Sequence, residues 1–135
     1  MGLKDFFSKK KHLEFSAIQL AAINKIGGAM ATADGIADNR ESAFMAIESN
    51  RFGVSSDDLK AILLVASEMP TSDALDIINK MNSEQKKYVT AYLGTLINID
   101  NDIDSKELAL WRLLSTLLDL PTMSIAEAEQ YIREL

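Results

Sequence analysis

Residues 33–41 read Ala-Asp-Gly-Ile-Ala-Asp-Asn-Arg-Glu, and residues 99–107 read Ile-Asp-Asn-Asp-Ile-Asp-Ser-Lys-Glu. Both contain Asp-x-x-x-Asp-x-x-Glu. Asp34, Asp38 and Glu41 carry the first copy; Asp100, Asp104 and Glu107 carry the second, each displaced by 66 positions. Gly28 and Gly94 keep the same offset upstream. A pattern repeated at fixed spacing predicts a duplicated unit. Here that unit is a helical hairpin with a carboxylate-rich turn.

Working outward from the turns, helical spacing dominates and strand-like alternation is scarce. The first copy is flanked by a helix near 15–33, with Ile18, Ala22, Ile26, Ala29 and Ala33 on one stripe, and by a helix near 39–50 that Phe52-Gly53 ends. Ser56 can cap a helix near 57–69, which Pro70 stops. Ser72 can cap a short one near 73–80. Asn82-x-x-Gln85 has capping-box spacing and opens a helix near 83–98, with Tyr88, Ala91, Tyr92, Thr95 and Leu96 on one face. After the second turn comes an apolar helix near 105–118, containing Leu108, Trp111, Leu114 and Leu118. Pro121 breaks the chain, and Ser124-x-x-Glu127 caps a last helix near 125–134, with Ala128, Tyr131 and Ile132. Short amphipathic helices must bury their apolar stripes against one another. The fold expected is all-α: an irregular bundle of about seven helices with an internal duplication of helix–acidic turn–helix units. Gly27-Gly28 and Gly94, inside helices, point to close helix crossings.

The 135 residues suit one domain with a core, and 47% hydrophobic with 25% charged residues is ordinary for a globular protein. The net charge of −6 argues against nucleic acid, whose phosphates need clustered Lys and Arg. With no cysteine and only His12, disulfides, thiol catalysis, thiolate zinc sites and a one-chain catalytic triad are set aside. No apolar run reaches the roughly 20 residues that cross a bilayer. The start lacks a signal-peptide apolar region. A cytoplasmic protein is expected, peripheral at the inner face of the membrane if its N-terminus docks there.

The acidic turns admit two explanations. Asp38-x-x-Glu41 and Asp104-x-x-Glu107 have the form of capping boxes, each cap typically worth ~1 kcal/mol. Carboxylates there also oppose the positive end of the helix dipole. Capping does not account for Asp34 and Asp100, which end the preceding helices where negative charge is unfavourable. Asp102 adds another oxygen ligand to the second turn. Hard cations seek such oxygens, so Asp34, Asp38, Glu41, Asp100, Asp102, Asp104 and Glu107 form a candidate set for a divalent cation, calcium or magnesium before zinc. The set is not an EF-hand. Counted from Asp100, that loop would need Gly at Ser105 and Glu at Trp111, and the first copy places Ile36 and Met45 at ligand positions. The same carboxylates equally make an anionic patch for a basic protein partner.

The two turns resemble the Ala-Asp-Gly-x-x-Asp-x-x-Glu signature of tellurite-resistance TerB-like proteins, over most of residues 15–135. The resemblance implies an all-helical fold with internal pseudo-symmetry, in a bacterial, mostly intracellular protein without established enzymatic activity. It also implies metal ions at Asp34, Asp38, Glu41, Asp100, Asp104 and Glu107, and a link to chemical stress. The second turn departs from the signature, with Asn101 for the usual Gly.

Residues 1–14 form a separate basic segment. Lys4, Lys9, Lys10 and Lys11 against Asp5 and Glu14 give +2, leaving −8 for the TerB-like domain at 15–135. Leu3, Phe6 and Phe7 fall at helical spacing beside the lysines. Such a face suits weak contact with an anionic membrane surface or a protein partner; the other reading packs the phenylalanines onto the bundle.

Overall fold

A computed structural model describes residues 13–32, 39–99 and 102–135. Seven α-helices and no strand occur among them: α1 Ala17–Ala31, α2 Asn39–Arg51, α3 Ser56–Glu68, α4 Thr71–Asn79, α5 Ser83–Ile97, α6 Ser105–Leu117 and α7 Ile125–Arg133. The protein is all-α, as its periodicity requires.

The duplication is carried in the helix boundaries themselves. Ala17 to Ser83, Ala31 to Ile97, Asn39 to Ser105 and Arg51 to Leu117 are each a step of 66 positions. The chemistry at the helix starts repeats too. Ser16 with Gln19 forms a capping box on α1, and Asn82 with Gln85 forms the same box on α5, at the same offset. Each Gln also accepts from its cap residue's amide, at 2.9 Å and 3.1 Å. The two glutamines meet: Gln85 Nε2 donates to Gln19 Oε1 at 3.4 Å, and to the carbonyl of Glu14 at 2.7 Å.

Helices α1 and α5 are the centre of the bundle. From Tyr88 to Ile97 every residue of α5 is buried, and α1 is buried at Leu20–Asn24, Ile26, Gly27, Met30 and Ala31. A helix covered on all sides needs neighbours on all sides. Helix α1 packs on α3, α4 and α5, while α5 packs on α7, α6 and α1. Ala22 and Ile26 of the expected α1 stripe are buried, but Ile18 is 48% exposed and Ala29 lies at the surface. The single-stripe expectation is therefore corrected, because α1 is enclosed and not half-sunk.

Two further expectations change at helix starts. Ser55, not Ser56, caps α3, accepting from the Asp58 amide at 3.2 Å. Helix α4 begins at Thr71 behind Pro70, with no side-chain cap, so Ser72 lies inside the first turn. Ser124 and Glu127 do form a capping box on α7. The close crossings fall at Gly27, against Tyr92, and at Gly94, against Trp111 and Ala128; Gly28 faces open space.

Candidate functional site

Asp34, Asp38, Asp100 and Asn101 lie outside the described residues, as do residues 1–12. The expectations resting on them lie outside the described residues too. Glu41, Asp102, Asp104 and Glu107 are described. Asp104 is the N-cap of α6, its Oδ1 accepting from the amides of Lys106 at 2.8 Å and Glu107 at 3.3 Å. Asp102 is exposed. Among the described residues no three His, Cys, Asp or Glu side chains gather into a group that could hold an ion.

Glu41 and Glu107 go beyond capping. Each is only 5% exposed, at repeat-related positions in the first turns of α2 and α6. Glu127 occupies the same third helical position in the α7 capping box, yet it stays at the surface. There, hydrogen bonds with Ser124, backbone first, hold its carboxyl below the usual range. Capping therefore does not demand burial. Burying a carboxylate carries a desolvation cost that a cap alone does not incur.

The two buried glutamates stand at one end of the bundle. Gln19 meets Gln85 near the starts of α1 and α5, and Gly27 meets Tyr92 two turns further along both helices. The two helices thus run in the same sense. Their C-terminal ends, from which both acidic turns depart, share an end of the molecule. Helix α2 returns antiparallel along α1, pinned where Asn24 Nδ2 donates to Ser49 Oγ at 3.2 Å.

Helix α2 also lies antiparallel to α5, along a seam of polar and aromatic pairs. The Tyr88 hydroxyl donates to Glu48 Oε1 at 2.7 Å. Arg51 donates to both oxygens of Glu48, through Nε and Nη2 at 3.0 Å each. One turn along, the Phe44 and Tyr92 rings sit 5.3 Å apart. Burial first, then the Glu48 charge, pushes both the Tyr88 and Tyr92 phenols well above their ordinary value. The hydrogen bond from Arg51 to Glu48 raises the guanidinium. The hydroxyls of Tyr92 and Thr95 are buried without a hydrogen-bond partner.

The second copy has no such seam. Leu114, Leu117 and Ala22 stand where the first has Glu48, Arg51 and Tyr88. Sequence reasoning placed Tyr88 on one face of its helix and passed over Glu48. The available signal was a charged residue on the stripe Glu41, Phe44, Glu48, spaced i, i+3, i+7. A cleft of about 680 Å³ lies between α6 and α7, with Trp111, Arg112, Met123 and Glu127 among its walls. The buried Trp111 Nε1 has no acceptor. Lys87 Nζ lies 5.6 Å from the centre of the Tyr131 ring. Among the described residues no helix is long and apolar enough to cross a membrane.

No protein-family model matches the chain, and no curated protein matches it. The crystal structure of a protein of unknown function from Porphyromonas gingivalis W83 is similar, at 41% sequence identity and a TM-score of 0.81. The match covers 91% of this chain and 99% of that one.

Proposed function

Because this chain belongs to the same family as that Porphyromonas gingivalis protein, we propose a function from its own residues: a non-catalytic, TerB-like helical module whose paired acidic turns bind a divalent cation, linked to tellurite and chemical-stress response. The observation that supports it is the burial of Glu41 and Glu107, both 5% exposed, at equivalent positions of the two hairpins. A cap needs a carboxylate at the helix start but not beneath the surface, whereas a cation ligand gains from a preorganised, partly desolvated oxygen. Asp34, Asp38, Asp100, Asp102 and Asp104 are the further ligands this reading draws on. Calcium and magnesium suit an all-oxygen set better than zinc does.

Calorimetric titration of the native chain with calcium, magnesium, manganese and zinc tests the reading. Saturable binding that disappears in Glu41→Gln/Glu107→Gln and in Asp34→Asn/Asp100→Asn is the expected result. Equal or absent heat in native protein and variants sinks it. The turns would then stand as helix caps on a scaffold whose partner meets another surface, such as the Trp111 cleft.

A further inference from the structure

We infer that the cleft between α6 and α7 binds a small amphipathic carboxylate, with its apolar body against Leu108, Trp111 and Met123 and its acid group on Arg112. None of these residues belongs to the acidic motif, and the site stands whether or not the turns bind a cation.

The cleft holds about 680 Å³, within the range of roughly 300–1,000 Å³ that suits small ligands. One wall is a single face of α6. Leu108, Trp111, Arg112, Ser115 and Thr116 fall at i, i+3, i+4, i+7 and i+8, the spacing that aligns side chains along a helix. That wall runs for roughly 12 Å, at about 1.5 Å per residue. The segment from Thr122 to Ile125, with Glu127, forms the other. Leu108, Met123 and Ile125 are only partly buried, so the cleft keeps apolar surface in contact with water. An alkyl or aromatic body that covers this surface gains the hydrophobic contribution, and methionine adapts to its shape.

Charge then selects among apolar ligands. Arg112 and Glu127 are the charged side chains on the walls, and they are not equally available. The Glu127 carboxylate is engaged in its capping box, where it accepts from the Ser124 amide at 3.1 Å. The Arg112 guanidinium is exposed and, among the described residues, has neither a hydrogen bond nor an ion pair. A planar guanidinium offers paired N–H groups that match a carboxylate. The charge on Glu127 works in the same direction, because it repels an acid group from the α7 wall towards Arg112. These features are not part of the repeated scaffold. Ser42, Met45, Ala46 and Ala61 stand in the first copy where the second has Leu108, Trp111, Arg112 and Glu127.

Trp111 is the only tryptophan in the chain, so its fluorescence reads the cleft directly. The full chain is titrated with decanoate below its micelle concentration, and with decyltrimethylammonium, which pairs the same alkyl chain with the opposite charge. Decanoate is expected to shift Trp111 emission saturably, and the cationic amphiphile to bind far more weakly. Arg112→Gln should weaken decanoate binding by roughly 5- to 10-fold. Glu127→Gln, whose amide oxygen can still accept in the capping box, should strengthen it by up to roughly 3-fold. Both residues lie at the surface, and circular dichroism should show native helix in both variants. A merely greasy surface would take the two amphiphiles alike and ignore Arg112→Gln. That result, or no saturable change with decanoate, overturns the site.

Discussion

Replacing Gly28 and Gly94 by alanine, one at a time, should shift stability in opposite directions although the repeat makes the two positions equivalent. In a helix interior alanine is favoured over glycine by about 1 kcal/mol. At Gly28 nothing opposes that gain, because an added Cβ meets no atom within 4 Å. At Gly94 the same Cβ would lie 2.7 Å from Trp111 Cζ2 and 2.8 Å from Ala128 Cβ. Neither neighbour is the loose end of a flexible side chain. Trp111 is 6% exposed and Ala128 is fully buried, so α6 or α7 must move. Overpacking of this kind typically costs ~1–3 kcal/mol, which cancels or exceeds the gain from helix propensity. For a chain of this size one kcal/mol moves the melting temperature by roughly 3–4 °C. Gly28→Ala should therefore melt roughly 3 °C above native, and Gly94→Ala at native temperature or up to roughly 7 °C below. Thermal unfolding followed by circular dichroism reads both, with urea titration to check that the slope is unchanged. Two variants stabilised equally would refute the claim that Gly94 is held by the Trp111–Ala128 contact.

Tyr88→Phe deletes one of the three hydrogen bonds to the buried Glu48. Bonds to charged groups are worth about 1.5–3 kcal/mol, so urea unfolding should show a loss of that order, while Tyr131→Phe, whose ring is only half-buried, should cost less. The raised Tyr88 and Tyr92 phenols set an alkaline limit. The folded state holds these protons more tightly than the unfolded state, so stability is intact below an unfolded value of about 10 and falls as pH rises beyond it. Each buried phenol contributes a loss of about 1.4 kcal/mol per pH unit in that range. Absorbance near the tyrosinate band should therefore show Tyr88 and Tyr92 ionising only together with loss of helix; smooth titration of all three tyrosines in a folded chain would contradict their burial.

The hairpins were legible in the sequence because helix limits are local chemistry. Asn82, Asp104 and Ser124 were identifiable as caps, and each accepts backbone amides as its side chain predicts. The errors at Ser56 and Ser72 are also local. Ser55 and Ser56 offer the same hydroxyl, so residue type alone does not separate them. Pro70 can start a helix as well as precede one. What spacing could not supply was enclosure. The isoleucines and alanines of α1 marked it as apolar without showing that it would be covered nearly all round. Nor could the acidic motif separate Glu107 from Glu127, which share a helical position but differ in burial. The Glu48–Arg51–Tyr88 cluster joins residues 40 positions apart in sequence, beyond the reach of any single-helix pattern.

The contact between Gln19 and Gln85 makes this chain a covalent dimer in miniature. A side chain that touches its own counterpart lies beside a two-fold axis, as in an isologous interface between identical protomers. Joining the two halves in one chain replaces an encounter between molecules by an intramolecular one, at an effective concentration in the millimolar range for a short link. Fusion also removes a restriction. In a true homodimer every substitution appears on both sides of the axis. Here Glu48 can face Tyr88 on one side while Leu114 stands at the related position on the other. One half is free to specialise while its twin maintains the scaffold.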